Sequence, residues 1–171
     1  LRLTRLDSGV IEAPSRVAVE AVLGRVEKMI RPVAEEKAVE LITICPPGAA
    51  VIATEGEVHQ ILYNLMENAV KYNRRGGYVR VRVETGAETT VLTVEDNGIG
   101  IPAGDRDNVF KRFCRVAKAR SRAAGGTGLG LSIVSDTVSR RGGAIRAESL
   151  EPCGTRFTVT LPSREGEEDA P

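Results

Sequence analysis

Val79, Val81 and Val83 alternate with Arg80, Arg82 and Glu84, and after a turn at Gly86 Leu92 and Val94 alternate with Thr93 and Glu95. A period of two commits both runs to extended strands with one apolar face, and the glycine turn joins them as a hairpin. One face of that hairpin must be covered. Two amphipathic helices are in reach. Val19, Val22, Leu23, Val26, Ile30 and Val33 recur at helical spacing and predict a helix from Ala18 to Lys37, with a kink or early end near Pro32. Val58, Ile61, Leu62, Leu65, Met66 and Ala69 predict a second, ending before Asn73-Arg74-Arg75-Gly76-Gly77. A third starts inside a glycine-rich loop and runs to Arg140. Glu40–Cys45, Ile145–Ser149 and the alternation at Phe157, Val159 and Leu161 add strands. Helices falling between groups of strands give an α+β chain, a two-layer sandwich with helices on one face of the sheet and the other face more exposed.

The 171 residues are 42% hydrophobic, enough for a single core, and 24 basic against 23 acidic side chains leave a net charge of +1. That balance argues against a dedicated nucleic-acid or membrane-surface protein. No apolar run is long enough to span a bilayer, and no secretory leader is evident. Cys45, Cys114 and Cys153, with one histidine, indicate neither a disulfide framework nor a zinc site and fit a cytoplasmic setting. Leu3, Leu6 and Val10 form a narrow helical stripe broken by Ser8-Gly9 and Pro14, which reads as the end of something longer. The organisation expected is a linker over 1–13, a domain over 14–162 and a disordered acidic tail over 163–171.

The chemistry concentrates in three places. Asn64, Asn68 and Lys71 fall within about 60° of one another on the second helix, beside its apolar stripe. Amide oxygens suit Mg²⁺, which takes its remaining ligands from water and phosphate, and a lysine acts on phosphate as a point charge. A solvated polar face has the same pattern. His59 lies about 180° from Asn68, which suits a surface or packing role. Asp96 is in phase with Leu92 and Val94, so its carboxylate points to the buried side, where something must satisfy it; an adenine amino group can, and Gly98 and Gly100 let the backbone approach the base. An ordinary strand-end turn reads the same way. Finally, Gly126, Gly128 and Gly130 open the third helix, where free N–H groups and the helix dipole favour an anion. The P-loop is excluded, since Leu131 occupies its lysine position, and Ile133 breaks the dinucleotide pattern. Between the loops, Arg106, Lys111, Arg112, Arg115, Lys118, Arg120 and Arg122 face only Asp105 and Asp107, a composition that fits a cationic flap over polyphosphate. Nucleic-acid binding and a solvated loop are its rival readings.

Taken together, these segments resemble the catalytic ATP-binding domain of sensor histidine kinases, in the superfamily shared with gyrase-type ATPases, ninety-kilodalton heat-shock chaperones and mismatch-repair proteins. His59–Tyr72 resembles the N box, Asp96–Ile101 the first glycine box, Val109–Phe113 the F box and Gly126–Leu131 the second glycine box. The resemblance implies a Bergerat-type sandwich, with a mixed, mostly antiparallel sheet under three helices and a flexible ATP lid. It carries Asp96 to adenine recognition, Asn68 to Mg²⁺, Asn64 and Lys71 to the metal-phosphate end, and Tyr72 to packing near the nucleotide. Arg115 and the lid backbone (Gly126, Thr127, Gly128, Leu129, Gly130, Leu131) go to the phosphates, with Asn64, Lys71 and Arg115 serving catalysis. Phe110 and Phe113 anchor the lid, Gly98, Gly100 and Ile101 line the base, and Thr155 helps bind it through water. Departures are Cys114 and Ala117, where the family often has aromatic and acidic residues, and Pro152 in place of the first glycine of a G-x-G-T turn.

Leu1–Glu12 resembles the end of a dimerisation and phosphoacceptor helix with its linker. The resemblance therefore implies a kinase whose acceptor histidine lies upstream and whose phosphoryl group passes to a response regulator. The parent is then a homodimer and this piece a monomer, with anchoring of the parent in the inner membrane left open. A gyrase-like or chaperone-like ATPase is the first alternative, but that branch carries a glutamate at the position of Asn64, and an amide cannot take a proton from water. A serine kinase of anti-sigma type, or a non-enzymatic ATP-gated module, is the second.

Overall fold

The computed structural model describes residues 12–101, 110 and 130–164. In chain order these form β1 (Ser15–Ala18), α1 (Val19–Glu36), β2 (Glu40–Ile44), β3 (Ala50–Ala53), α2 (Glu55–Lys71), β4 (Tyr78–Thr85), β5 (Thr89–Asp96), α3 (Gly130–Arg140), β6 (Ala144–Ser149) and β7 (Thr155–Pro162). The expected linker up to residue 11, the tail from residue 165 and the lid residues between 111 and 129 lie outside the described residues.

The main sheet has the order β2-β4-β5-β7-β6. Strand β2 runs parallel to β4, and the other neighbours pair antiparallel. The hairpin read from alternation is β4–β5, with Val81 opposite Val94 and Val83 opposite Leu92. Its valines and leucine, together with Phe157, Val159 and Leu161 of β7, are buried against Val22, Val26 and Ile30 of α1, Ile61, Leu65 and Met66 of α2, and Val134 and Val138 of α3. The expected two-layer sandwich is therefore present, with its three described helices supplying one wall of the core.

The opposite sheet face carries charge in a regular pattern. Arg80, Glu95, Arg156 and Glu148 are successive cross-strand partners on β4, β5, β7 and β6. Arg80 lies 3.8 Å from Glu95, Arg156 3.1 Å from the same carboxylate and 3.9 Å from Glu148. Opposite charges directly across a sheet support pairing, and here they alternate over four strands. Glu95 is only 8% exposed, so its two arginines also neutralise a carboxylate largely removed from water.

Three features differ from the sequence expectation. Helix α1 passes through Pro32 and continues to Glu36, with Ala18 and Lys37 as its caps, so the proline neither ends nor shortens it. Val26, Ile30 and Ala34 are buried on both sides of the proline, and this continuous apolar face holds the segment in one helix. Strand β2 ends at Ile44 rather than Cys45. Strands β1 and β3, which the sequence reading did not anticipate, form a separate antiparallel pair with Val17 opposite Val51. That pair is tied to the main sheet by Thr90, whose hydroxyl donates to the Ala50 carbonyl at 2.8 Å.

Candidate functional site

Helix α2 begins with two reciprocal hydrogen bonds. The Thr54 hydroxyl accepts from the Glu57 N–H at 3.2 Å, and the Glu57 carboxylate accepts from the Thr54 N–H at 2.9 Å. Arg141 Nε donates to the same carboxylate at 2.8 Å and Arg140 at 3.2 Å, joining the end of α3 to the start of α2. Burial raises the Glu57 carboxyl, but hydrogen bonds from Arg141 and Thr54 outweigh it and leave the group below its ordinary value. The helix is thus fixed at its first turn and along its buried stripe, which leaves Asn64, Asn68 and Lys71 half-buried at the stripe's border.

At the end of β5, Asp96 is 3% exposed, as its phase with Leu92 and Val94 predicts. One of its oxygens accepts from the Gly98 N–H at 2.9 Å, so the loop itself satisfies part of the carboxylate. Thr155 is its direct cross-strand partner on β7 and is fully buried. The Thr155 hydroxyl has no hydrogen-bond partner among the described residues, and neither has the buried amide nitrogen of Asn68. Buried polar atoms left in this state cost about 1–3 kcal/mol each, so two in one domain need a reason.

Two glycines bring the separate segments together. A Cβ on Gly98 would lie 2.3 Å from the Tyr72 carbonyl oxygen, and the Ile99 N–H donates to that same oxygen at 3.0 Å. Only glycine lets the loop after Asp96 sit this close to the end of α2, where Tyr72 is the buried cap one turn beyond Asn68. A Cβ on Gly130 would lie 3.1 Å from the Asn64 amide oxygen, so the first turn of α3 rests against Asn64. The exit of the loop is held by Ser149, whose hydroxyl donates to the Ile101 carbonyl at 2.7 Å, with Gly100 just before it. Phe110 meets Phe157 edge to face, ring centres 6.0 Å apart.

The sequence-predicted residues are brought together in pairs: Gly98 packs on Tyr72 at the end of α2, Gly130 of α3 on Asn64, and Asp96 of β5 stands across from Thr155 of β7. Asn68 and Lys71 lie on α2 between Asn64 and Tyr72, and Gly100 and Ile101 follow Gly98 in the β5 loop. Arg115, Gly126, Thr127, Gly128 and Leu129 lie outside the described residues, as do Phe113, Cys114 and Ala117. His59 stacks on Tyr63, with ring centres 6.2 Å apart and planes 7° from parallel, in keeping with a packing role.

Two contributors were missed. Asn97 is one: its side-chain oxygen accepts from the Tyr78 N–H at 2.7 Å and pins the loop to the start of β4. Glu67 is the other, pairing with Lys71 at 3.0 Å. Its i,i+4 spacing ahead of the lysine was a readable signal. Burial raises the Glu67 carboxyl, yet hydrogen bonds from Tyr63 and Lys71 prevail and hold it below its ordinary value.

Among the described residues no group of three or more His, Cys, Asp or Glu side chains is gathered to chelate a metal. A divalent ion here would rest on the Asn68 amide, with oxygens from water and phosphate completing its shell, as Mg²⁺ prefers. The partnerless Asn68 nitrogen leaves this amide unclaimed on one side by the fold, which fits a residue that serves a bound group. No helix among the described residues is long and apolar enough to cross a membrane.

Residues 53–165 match the sequence model described as histidine kinase-, DNA gyrase B-, and HSP90-like ATPase, and the chain belongs to that family. Its resemblance within the family is to the catalytic ATP-binding domains of sensor histidine kinases. It is 43% identical over 138 residues to the sensor histidine kinase WalK of Bacillus subtilis (strain 168), covering 79% of this chain and 23% of WalK. The solved structure of the mycobacterial sensor histidine kinase MprB is 30% identical, with a TM-score of 0.77 over 89% of this chain and 99% of that one. Full-length ShkA, solved in complex with AMPPNP, is 30% identical with a TM-score of 0.75 over 89% of this chain and 32% of that one. The chain thus spans about a quarter of WalK's length.

Proposed function

We propose that this domain binds ATP with Mg²⁺, and that the full-length protein transfers the γ-phosphoryl group to a histidine of an upstream dimerisation domain for relay to an aspartate of a response regulator. The observation that carries the reading is the buried Asp96–Thr155 pair: a carboxylate and a partnerless hydroxyl, side by side where two interior strands end and begin, form an acceptor and a donor-acceptor for a flat heteroaromatic amine. The bound AMPPNP of ShkA supports the same ligand class. Asp96 takes the adenine amino group and Thr155 reaches the ring through water. Asn68 holds the divalent ion, which supplies charge neutralisation to the phosphates. Asn64 and Lys71 orient the triphosphate, with Arg115 adding positive charge from the lid.

In the transfer itself, the acceptor imidazole nitrogen attacks the γ-phosphorus, a P–N bond forms, the bond to the β-phosphate oxygen breaks, and ADP leaves. Such chemistry depends chiefly on positioning and charge, which amides and cations supply. Asn64, unable to take a proton, disfavours hydrolysis by water. The proposed organisation keeps 1–13 as the linker from the dimerisation helix, 14–162 as the catalytic domain and 163–171 as an acidic tail. It also makes the parent a homodimer.

Titrating the chain with ATP, with and without Mg²⁺, tests the binding step; tighter binding with the metal is expected, and no binding in either condition overturns the reading. Joining the chain to its upstream segment and supplying labelled ATP tests the transfer. Label that survives alkali and is lost in acid is expected, whereas rapid ATP hydrolysis by the domain alone would favour the ATPase alternative.

A further inference from the structure

One face of α2 carries a ladder at i,i+4 spacing that runs from its first turns to its end. His59 stacks on Tyr63, the Tyr63 hydroxyl donates to Glu67, and Glu67 binds Lys71. Lys71 is also the cation that the proposed function directs to the phosphates. Its ammonium is held at 3.0 Å by a carboxylate on its own helix, with both side chains about a third exposed or less. The lysine backbone is fixed as well, because Lys37 Nζ donates to the Lys71 carbonyl at 2.6 Å. With the backbone fixed, the ammonium reaches a ligand only by leaving Glu67 or by sharing its three donors with it.

We propose that Glu67 is a positioning residue that competes with the phosphates of a bound nucleotide for the Lys71 ammonium, and so lowers affinity in proportion to the ligand's phosphate charge. The inference rests on the ATP-binding reading above and adds a means of setting its strength. A carboxylate beside a polyphosphate is unfavourable by itself, and pairing with Lys71 leaves that corner of the site neutral rather than cationic. The domain gives up part of its hold on ATP and ADP alike, while contacts to the base are untouched. Weaker retention of ADP speeds exchange for fresh ATP, because affinity differences of this kind fall mainly on dissociation. Tyr63 tempers the competition, since its hydroxyl shares the same carboxylate.

Calorimetric titration of the 171-residue chain with ATP, ADP and adenosine tests the proposal. Glu67→Gln is expected to tighten ATP about three- to fivefold, the scale of one partly exposed ion pair, to tighten ADP less and to leave adenosine unchanged. In a Lys71→Gln background the same substitution is expected to lose most of that gain. Tyr63→Phe, which keeps the charge and strengthens the hold on Lys71, is expected to weaken ATP by about twofold without affecting adenosine. Unchanged or weaker ATP binding by Glu67→Gln, or an equal gain for adenosine, overturns the role of Glu67. A wild-type chain that binds neither ATP nor adenosine instead overturns the nucleotide reading on which it rests.

Discussion

The two ends of α2 are built to opposite rules. At its start every polar group named above has a partner: Thr54 and Glu57 satisfy each other, and Arg140 and Arg141 close the carboxylate from α3. Toward its end the Asn68 amide nitrogen is buried with no partner among the described residues, and so is the Thr155 hydroxyl across from Asp96. The first end spends its polar groups on holding the fold together. On the proposed function the second leaves them to the nucleotide, at a cost in stability that the rest of the core must offset. On that reading the same helix has a rigid origin and a receptive terminus.

Substitutions at each end should separate these rules. The largest effect is expected from Asp96→Asn, which turns one acceptor into a donor facing the adenine amine and should weaken ATP binding at least tenfold, about 1.4 kcal/mol or more, with little change in melting temperature. Unchanged affinity by calorimetry would remove Asp96 from base recognition. At the satisfied end, Thr54→Ala should lower unfolding free energy by about 1 kcal/mol in urea titrations while leaving ATP affinity near wild type. Thr155→Val should act in reverse, raising stability by roughly 1 kcal/mol as a partnerless hydroxyl is removed, yet weakening nucleotide binding. A fall in stability would show that the hydroxyl was serving the fold.

Asn68→Ala sharpens the contrast further. Its stability change should stay within about 0.5 kcal/mol, while the gain in ATP affinity on adding Mg²⁺ should shrink or disappear. Equal losses with and without the metal would contradict its assignment. The smallest effect concerns pH. Because the folded pKa of Glu57 lies below its ordinary value, its contribution is complete above the ordinary carboxylate range and is lost as pH falls through the folded value. Glu57→Gln should therefore flatten the acid side of a stability-pH curve and leave its neutral plateau lower.

Much of this architecture was legible in sequence because its signals are local. The stripe from Val58 to Ala69 and the alternations around Val81 and Val94 have the period of the element they form, and Asp96 inherited its inward direction from that phase. Tyr72 is singled out by motif resemblance and Gly98 and Gly130 by a strand-end turn and a helix start, whereas the carbonyl that excludes a side chain at Gly98 and the Asn64 amide that crowds Gly130 are visible only in the fold. Strands β1 and β3 escaped notice because segments of four residues are too short to carry a periodic signal. The pairing of Glu57 with Arg141 joins residues 84 positions apart, and no pattern along the chain announces it. Pro32 allowed either a kink or an early end, and burial on both sides of it decided against the early end. The lid assignments, from Arg115 to Leu129, stand as proposals.

The alternating arginines and glutamates on the outer sheet face carry a consequence for assembly. Sliding β7 by two residues would keep its apolar side chains facing inward, so the core alone would tolerate the mistake. It would also replace Arg156 by Thr158 or Gly154 beside Glu95 and leave a nearly enclosed negative charge with Arg80 as its one remaining cross-strand counter-ion. The solvent side thus proofreads an alignment that the greasy side cannot distinguish, and strands contributed by remote stretches of chain are locked into a single vertical offset.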